Sequence, residues 1–313
     1  MSTHALHYGS GVFEGIRCYD TAVTTTVAPP ITGPADLVGA AVTPDGSKVY
    51  LTNAGFGAAN TVLVLDAATN TVTDTIQVGN GPIFDAITPD GEKVYIVNST
   101  DNTASVINTS TNSMVATIPV GLFPLAVTVS PDGARAYVAN TFSNNVSAID
   151  TASDAVVATI PVIKFPIAVI VSPDSSRVYV ANFSVEKVVS VIDAASNTVK
   201  SAISVGSFPD GLVLTPNGRK LYCANNLDGT VSVVDTTTNS VAATIPVQSN
   251  PITAAITQNG QRVYVTNLNS NDVSVIDVSS DVVIATIAGA ERPTTVAIQP
   301  KTKDDLTEDG NNQ

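Results

Sequence analysis

Three aspartates stand shortly after a proline, in Pro34-Ala35-Asp36, Pro82-Ile83-Phe84-Asp85 and Pro209-Asp210. Asparagines close a series of apolar runs, at Asn53, Asn98, Asn140, Asn182, Asn225 and Asn267. Carboxylate and amide oxygens are hard ligands of the kind calcium takes. A cation held by Asp36, Asp85 and Asp210 would polarise the carbonyl of an ester or lactone, or hold a water as nucleophile. On that reading the aspartates carry catalysis and the metal, and the asparagines line a ligand site. Lys164, Glu291 and Arg292 are the unusual charges in loops that precede a proline, where they would orient an anionic ligand. The competing account is structural: the asparagines bond to nearby backbone at loop ends, and the acids solvate a rim.

Other chemistries find little support. His4 and His7 are the only histidines and both lie near the N-terminus, so a histidine metal cluster or a Ser-His-Asp triad is not expected. Neither a phosphate-cradling glycine loop nor a Cys-x-x-Cys pair is present. Cys18 and Cys223 make no disulfide framework, and their distance in the expected fold argues against a bond between them.

The elements that must position these residues form a repeat. The run Val263-Tyr264-Val265-Thr266-Asn267 recurs with small changes at all six asparagines, each time after a turn such as Thr43-Pro44-Asp45-Gly46. Successive turns at 44, 89, 131, 173, 216, 258 and 300 lie 45, 42, 42, 43, 42 and 42 residues apart, the period of a four-stranded propeller blade. Within one repeat, Ala126 to Val129, Arg135 to Asn140, Val146 to Asp150 and Val156 to Val162 are runs of β-branched and small apolar residues bounded by Gly, Pro, Asn and Asp. Helical periodicity is nowhere sustained. The fold class is all-β, one closed array of antiparallel blades.

Counting the blades decides how the ring closes. Six repeats are complete from Leu37 to Ile287; Ala22 to Ala28 reads as a spare outer strand and Thr294 to Pro300 as a spare inner one. With His4 to Gly9 and Gly15 to Asp20 as the middle strands, a seventh blade would be shared between the two ends, and no sheet edge would stay open. Seven blades are therefore expected, with six as the alternative. The chain divides into residues 1–21, a propeller over 22–300 and a polar acidic tail over 301–313, expected to be disordered. The loop Ala54 to Asn60 is longer than its counterparts and carries Phe56, which makes it a lid candidate. Phe123, Phe142, Phe165, Phe183 and Phe208 fall in loops at the same end and either form an apolar rim or plug gaps between blades.

The formal charge of −13 disfavours nucleic acid and anionic membranes. The most apolar span, Ala155 to Val171, is interrupted by Pro161, Lys164 and Pro166, so no membrane span is expected. No signal peptide is visible in Met1 to Asp20, while the low charge and abundant Thr, Ser and Asn suit an extracellular or cell-surface protein. Asn98-Ser-Thr100, Asn108-Thr-Ser110, Asn145-Val-Ser147 and Asn182-Phe-Ser184 fit the glycosylation acceptor pattern.

The Tyr-Val-Thr-Asn run with its Pro-Asp-Gly turn resembles the YVTN β-propeller repeat family of microbial surface-layer and cell-surface proteins, over about Ala22 to Pro300. That resemblance implies a WD40-like ring related in shape to lactonase-like propellers. Separately, Ser2 to Asp20 is similar to the N-terminal segment of branched-chain amino-acid aminotransferases, in which residues matching Tyr8, Phe13 and Arg17 lie at the substrate pocket. The likeness stops at Asp20 and the domain bearing the cofactor lysine is missing, so the segment reads as a chimeric N-terminus and no pyridoxal phosphate is expected. The function expected is a monomeric, rigid binding scaffold that takes a protein or small molecule at its channel face. The alternative is a metal-assisted lactone or ester hydrolase at the channel mouth.

Overall fold

In the computed structural model, residues 37–54, 60–289, 292–294 and 296 are described in full, and ahead of them the backbone of five short strands. Those five are β1 (Thr3–Leu6), β2 (Val12–Phe13), β3 (Gly15–Tyr19), β4 (Ala22–Thr24) and β5 (Ile31–Thr32). Blade one is β6 (Leu37–Val42), β7 (Lys48–Asn53), β8 (Thr61–Asp66) and β9 (Thr71–Gln77); blade two is β10 (Pro82–Ile87), β11 (Lys93–Asn98), β12 (Thr103–Asn108) and β13 (Ser113–Pro119). Blade three is β14 (Pro124–Val129), β15 (Arg135–Asn140), β16 (Asn145–Asp150) and β17 (Ala155–Pro161); blade four is β18 (Pro166–Val171), β19 (Arg177–Asn182), β20 (Val188–Asp193) and β21 (Thr198–Ser204). Blade five is β22 (Pro209–Leu214), β23 (Lys220–Asn225), β24 (Thr230–Asp235) and β25 (Ser240–Pro246); blade six is β26 (Pro251–Ile256), β27 (Arg262–Asn267), β28 (Asp272–Asp277) and β29 (Val282–Ala288). Each blade is an antiparallel meander in chain order, and inner strands of successive blades touch.

Local chemistry explains each element. In the turn between the first two strands of blade one, Gly46 N–H donates to Thr43 O at 2.8 Å and Gly46 takes a φ of 73°, which glycine tolerates without strain. Asp45 fixes the same turn by accepting from the Thr43 hydroxyl at 2.6 Å and from Ser47 N–H at 3.0 Å. The second and third strands are buried on both faces, which is why their apolar runs are nearly continuous. The outer strands alternate, as β17 does, because one face looks to solvent.

The core lies between blades. Tyr95, Val97, Ala104, Val106 and Ile118 of blade two pack against Val127, Ala136, Val138 and Ile149 of blade three, and the other seams repeat this arrangement. Each fully buried Val or Ile contributes roughly 1.5–3 kcal/mol.

Among the described residues there are six four-stranded blades, not seven. The segments expected to make the other strands of a closing blade form a separate sheet of three, in the order β1-β3-β4, and β2 pairs with β5. Of the inner strand expected from Thr294 to Pro300, the described residues Thr294 and Val296 are not in a strand. Thr253 Oγ1 donates to Thr294 O at 2.8 Å, and Val296 is buried against Tyr264, Val273, Val275 and Ile287, as Val169 is against Tyr137, Val146, Ala148 and Ile160. The lid candidate, Phe56 within 55–59, and the tail over 301–313 lie outside the described residues.

Candidate functional site

In an antiparallel meander the loops after the second and fourth strands share one face with the start of each inner strand. On this face Asp210 follows Pro209 at the head of β22, and Asp85 stands fourth in β10. Asp36 and Glu291 lie outside the described residues.

The Asp85 side chain points at the inner strand of blade one. Gly39 makes room for it: a Cβ there would sit 2.8 Å from Asp85 Oδ1 and 2.5 Å from Ile83 O. Thr52 Oγ1 bridges the seam, accepting from Gly39 N–H and donating to Ile83 O, both at 2.6 Å. Asp85 Oδ2 is sealed from solvent and accepts no hydrogen bond. Burial pushes the carboxyl up to about 8, against the pull of its own backbone and the Ala41 backbone hydrogen bond. Charged, it would sit in a poorly solvated seam with one oxygen unpaired; neutral, it fits.

Asp210 is held differently. Asn226 Nδ2 donates to its Oδ2 at 3.3 Å, and Asn226 Oδ1 in turn accepts from Asn250 Nδ2 at 2.5 Å. Burial pushes this carboxyl up to about 7, with the Asn226 bond opposing. Burial first, and then the nearby Asp210 charge, push the enclosed Cys223 thiol up; the cysteine is free and inert as a nucleophile. Asp85 and Asp210 belong to blades two and five. The described residues contain no group of three or more His, Cys, Asp or Glu that could hold a metal.

The six asparagines are at most 5 % exposed. Five of the six turn the amide nitrogen into their own blade, while the carbonyl oxygens of Asn53, Asn98, Asn140 and Asn267 are buried without a partner. Asn98 Nδ2 donates to Thr103 Oγ1 and Ser105 Oγ at 3.0 and 2.9 Å, Asn140 Nδ2 to Asn145 Oδ1 and Ser147 Oγ, and Asn225 Nδ2 to Thr230 Oγ1 and Ser232 Oγ. Asn267 reaches Asp272 and Ser274, Asn53 reaches Thr61, and Asn182 donates to Ile163 O while accepting from Ser190 Oγ. These bonds pin the end of the second strand to the third. Full burial also removes Asn98 and Asn182 as glycosylation acceptors.

Lys164 pairs loosely with Glu186 at 3.9 Å and its side chain stays 67 % exposed. Arg292 N–H donates to Asn271 Oδ1 at 2.9 Å, the same loop clasp that Asn102 gives Phe123 and Asn144 gives Phe165. Around these loops runs an apolar rim that the phenylalanines alone do not complete. Phe142 stacks on Phe123 with centroids 4.6 Å apart, and Phe183 meets Phe208 edge-on at 5.0 Å. Leu122, Val185 and Leu227 join them as exposed side chains. Sequence reasoning passed over these three, and also Gly39, Thr52 and Asn226. The signal for them is departure from the repeat: Leu122 stands where the other blades have Asn80, Ser207 or Ser249.

Six blades, each an antiparallel sheet of four strands set inner strand beside inner strand, define a β-propeller. Solved structures share this fold. The chain is similar to a structure titled Kuenenia stuttgartiensis hydrazine synthase (TM-score 0.74, 23 % identity, covering 82 % of this chain and 88 % of that one). It is also similar to a functionally unknown protein from Desulfotomaculum acetoxidans DSM 771 (TM-score 0.82, 17 % identity, covering 96 % and 99 %). No protein-family model matches the sequence, and no curated protein does.

Proposed function

We propose that this protein is a rigid propeller scaffold of the YVTN type, secreted or displayed at a cell surface, that binds a protein or small molecule on its channel face. One observation carries the reading. The framework bonds repeat from blade to blade, as in the donations of Asn98, Asn140, Asn225 and Asn267 to a serine of the third strand, whereas the loops of the channel face change chemistry from blade to blade, from Asn80-Gly81 to Leu122-Phe123 to Lys164-Phe165 to Ser249-Asn250. A constant frame under a variable face is what a binding module needs.

The second reading, a lactone or ester hydrolase assisted by calcium, is favoured by the carboxyl groups of Asp85 and Asp210, which exchange protons near neutral pH on inner strands. A panel of lactones and esters, assayed with calcium and with chelator, separates the two. The scaffold reading expects no turnover; turnover lost in the double variant Asp85→Asn, Asp210→Asn would replace it with the hydrolase.

A further inference from the structure

The apolar rim over blades three, four and five is not required by the fold, and the repeat itself supplies the control. The residue before the inner-strand proline takes a left-handed backbone in each described loop, with φ of 69° at Gly81, 52° at Phe123, 54° at Phe165, 53° at Phe208, 62° at Asn250 and 47° at Arg292. Glycine and asparagine accept that conformation readily; a phenylalanine in it is strained. Blades two and six use Gly81 and Asn250, so folding alone never calls for the aromatic ring. Blades three to five use phenylalanine three times in succession. Strain kept in place over several neighbouring loops marks a surface held for another purpose.

The neighbouring side chains agree. Leu122, Phe142, Phe165, Val185 and Leu227 are 43 to 72 % exposed, at loop ends where blades two and six place Asn80, Thr100, Ser249 and Asn269. They stand on loops of three successive blades, three, four and five, beside the Phe123–Phe142 stack and the Phe183–Phe208 pair, so the exposed apolar side chains are gathered in one part of the ring rather than scattered. In the middle stands Lys164, whose ammonium is mostly exposed and only loosely paired. Its charge is conspicuous in a chain of net charge −13. That net charge repels a second copy of the chain and an anionic membrane alike.

We propose that this rim, from Leu122 and Phe142 through Lys164 and Phe165 to Val185 and Leu227, docks an extended segment of a partner protein whose apolar side chains flank a carboxylate that pairs with Lys164. The proposal rests on the scaffold reading and names its surface and its partner. Aromatic and aliphatic anchors around one charge-assisted contact are the usual composition of a binding centre.

The test uses the full chain and a phage-displayed library of random linear peptides, followed by titration of the selected peptides as synthetic compounds. The expected result is enrichment of peptides with Asp or Glu between apolar residues. Their affinity should fall at least about tenfold in Phe142→Ser and in Leu122→Ser, about 1.4 kcal/mol, and Lys164→Glu should turn the preference towards Lys or Arg. Leu122 and Lys164 are exposed and stack on no ring, so thermal unfolding of Leu122→Ser and Lys164→Glu should match the parent, which separates lost binding from lost folding even where Phe142→Ser also loses its stack on Phe123. Peptides that bind the rim variants as well as the parent overturn this proposal and leave the scaffold reading standing. Absence of any selected peptide, a glycan array bound through the aromatics, or rim-dependent self-association in sedimentation each overturns it too. Turnover in the ester and lactone panel overturns the scaffold reading itself.

Discussion

Tyr95 Oη donates to Asp154 Oδ1 at 2.5 Å, across 59 residues of sequence and from one blade to the next. Lys93 Nζ takes the other carboxylate oxygen at 2.8 Å and Thr151 O at 2.7 Å, so one turn of blade three is held by two side chains of β11. Tyr222 and Lys220 hold Asp281 in the same way at 2.6 and 2.7 Å, and Tyr50 with Lys48 holds Asn112 at 3.0 and 3.2 Å. At these three seams the tyrosine of the repeat is a rivet between blades, whereas the equivalent oxygens of Asn197 and Asn239, opposite Tyr137 and Tyr179, have no partner. Tyr95→Phe should cost about 1.5–3 kcal/mol, the range for a bond to a charged acceptor, and Tyr50→Phe nearer 1 kcal/mol because its acceptor is neutral. Chemical denaturation of the two variants measures the difference.

Acidity divides the aspartates into two groups with opposite effects. Asp45, Asp174 and Asp277 are lowered to about 2, chiefly by the hydroxyls of Thr43, Ser172 and Ser279. Their contribution is present above about pH 4 and is lost as pH falls towards 2. Asp85 and Asp210 are raised, so their contribution is present below about pH 4 and is lost as pH rises through about 8 and about 7. Melting temperature against pH should therefore fall on both sides of a mildly acidic maximum. Asp85→Asn should match the parent below about pH 4 and melt above it near pH 9.

Gly39 carries a steric prediction. A Cβ at this position meets Ile83 O and Asp85 Oδ1 inside any ordinary contact distance, and the first of these is backbone. Gly39→Ala should therefore cost about 2 kcal/mol or more. Adding Asp85→Ala removes one of three clashes, the others being with Ile83 O and Thr52 Oγ1. The double variant should lose less than the sum of the singles, which a double-mutant cycle in urea reads directly.

Much of the frame was legible from residues alone. Val263 to Asn267 and its copies named the second strand, and Pro44-Asp45-Gly46 the turn before it, because such spacing admits little else. Register within each blade follows from the fixed turns and from the alternating burial of outer strands such as β17. The site was less legible. Asn98 looked like a ligand because it sits at a loop end, but its amide nitrogen is spent on Thr103 and Ser105, a fact set by the side chains opposite it on β12, and its buried carbonyl oxygen is left without a partner. Asp85 and Asp210 looked alike after their prolines; which seam each enters depends on Gly39 and on Asn226, far away in sequence. The rim escaped because a single exposed Leu122 or Leu227 carries no meaning until neighbouring loops are placed side by side.

The most direct measurement compares two sets of variants on the same samples, for peptide binding and for lactone and ester hydrolysis. One set alters the rim, Leu122→Ser, Phe142→Ser and Leu227→Ser; the other alters the inner strands, Asp85→Asn and Asp210→Asn. Binding lost in the rim set alone, with no turnover in the parent or in either set, is the result expected of a scaffold that works through its rim. Turnover in the parent that disappears in the inner-strand set would contradict it.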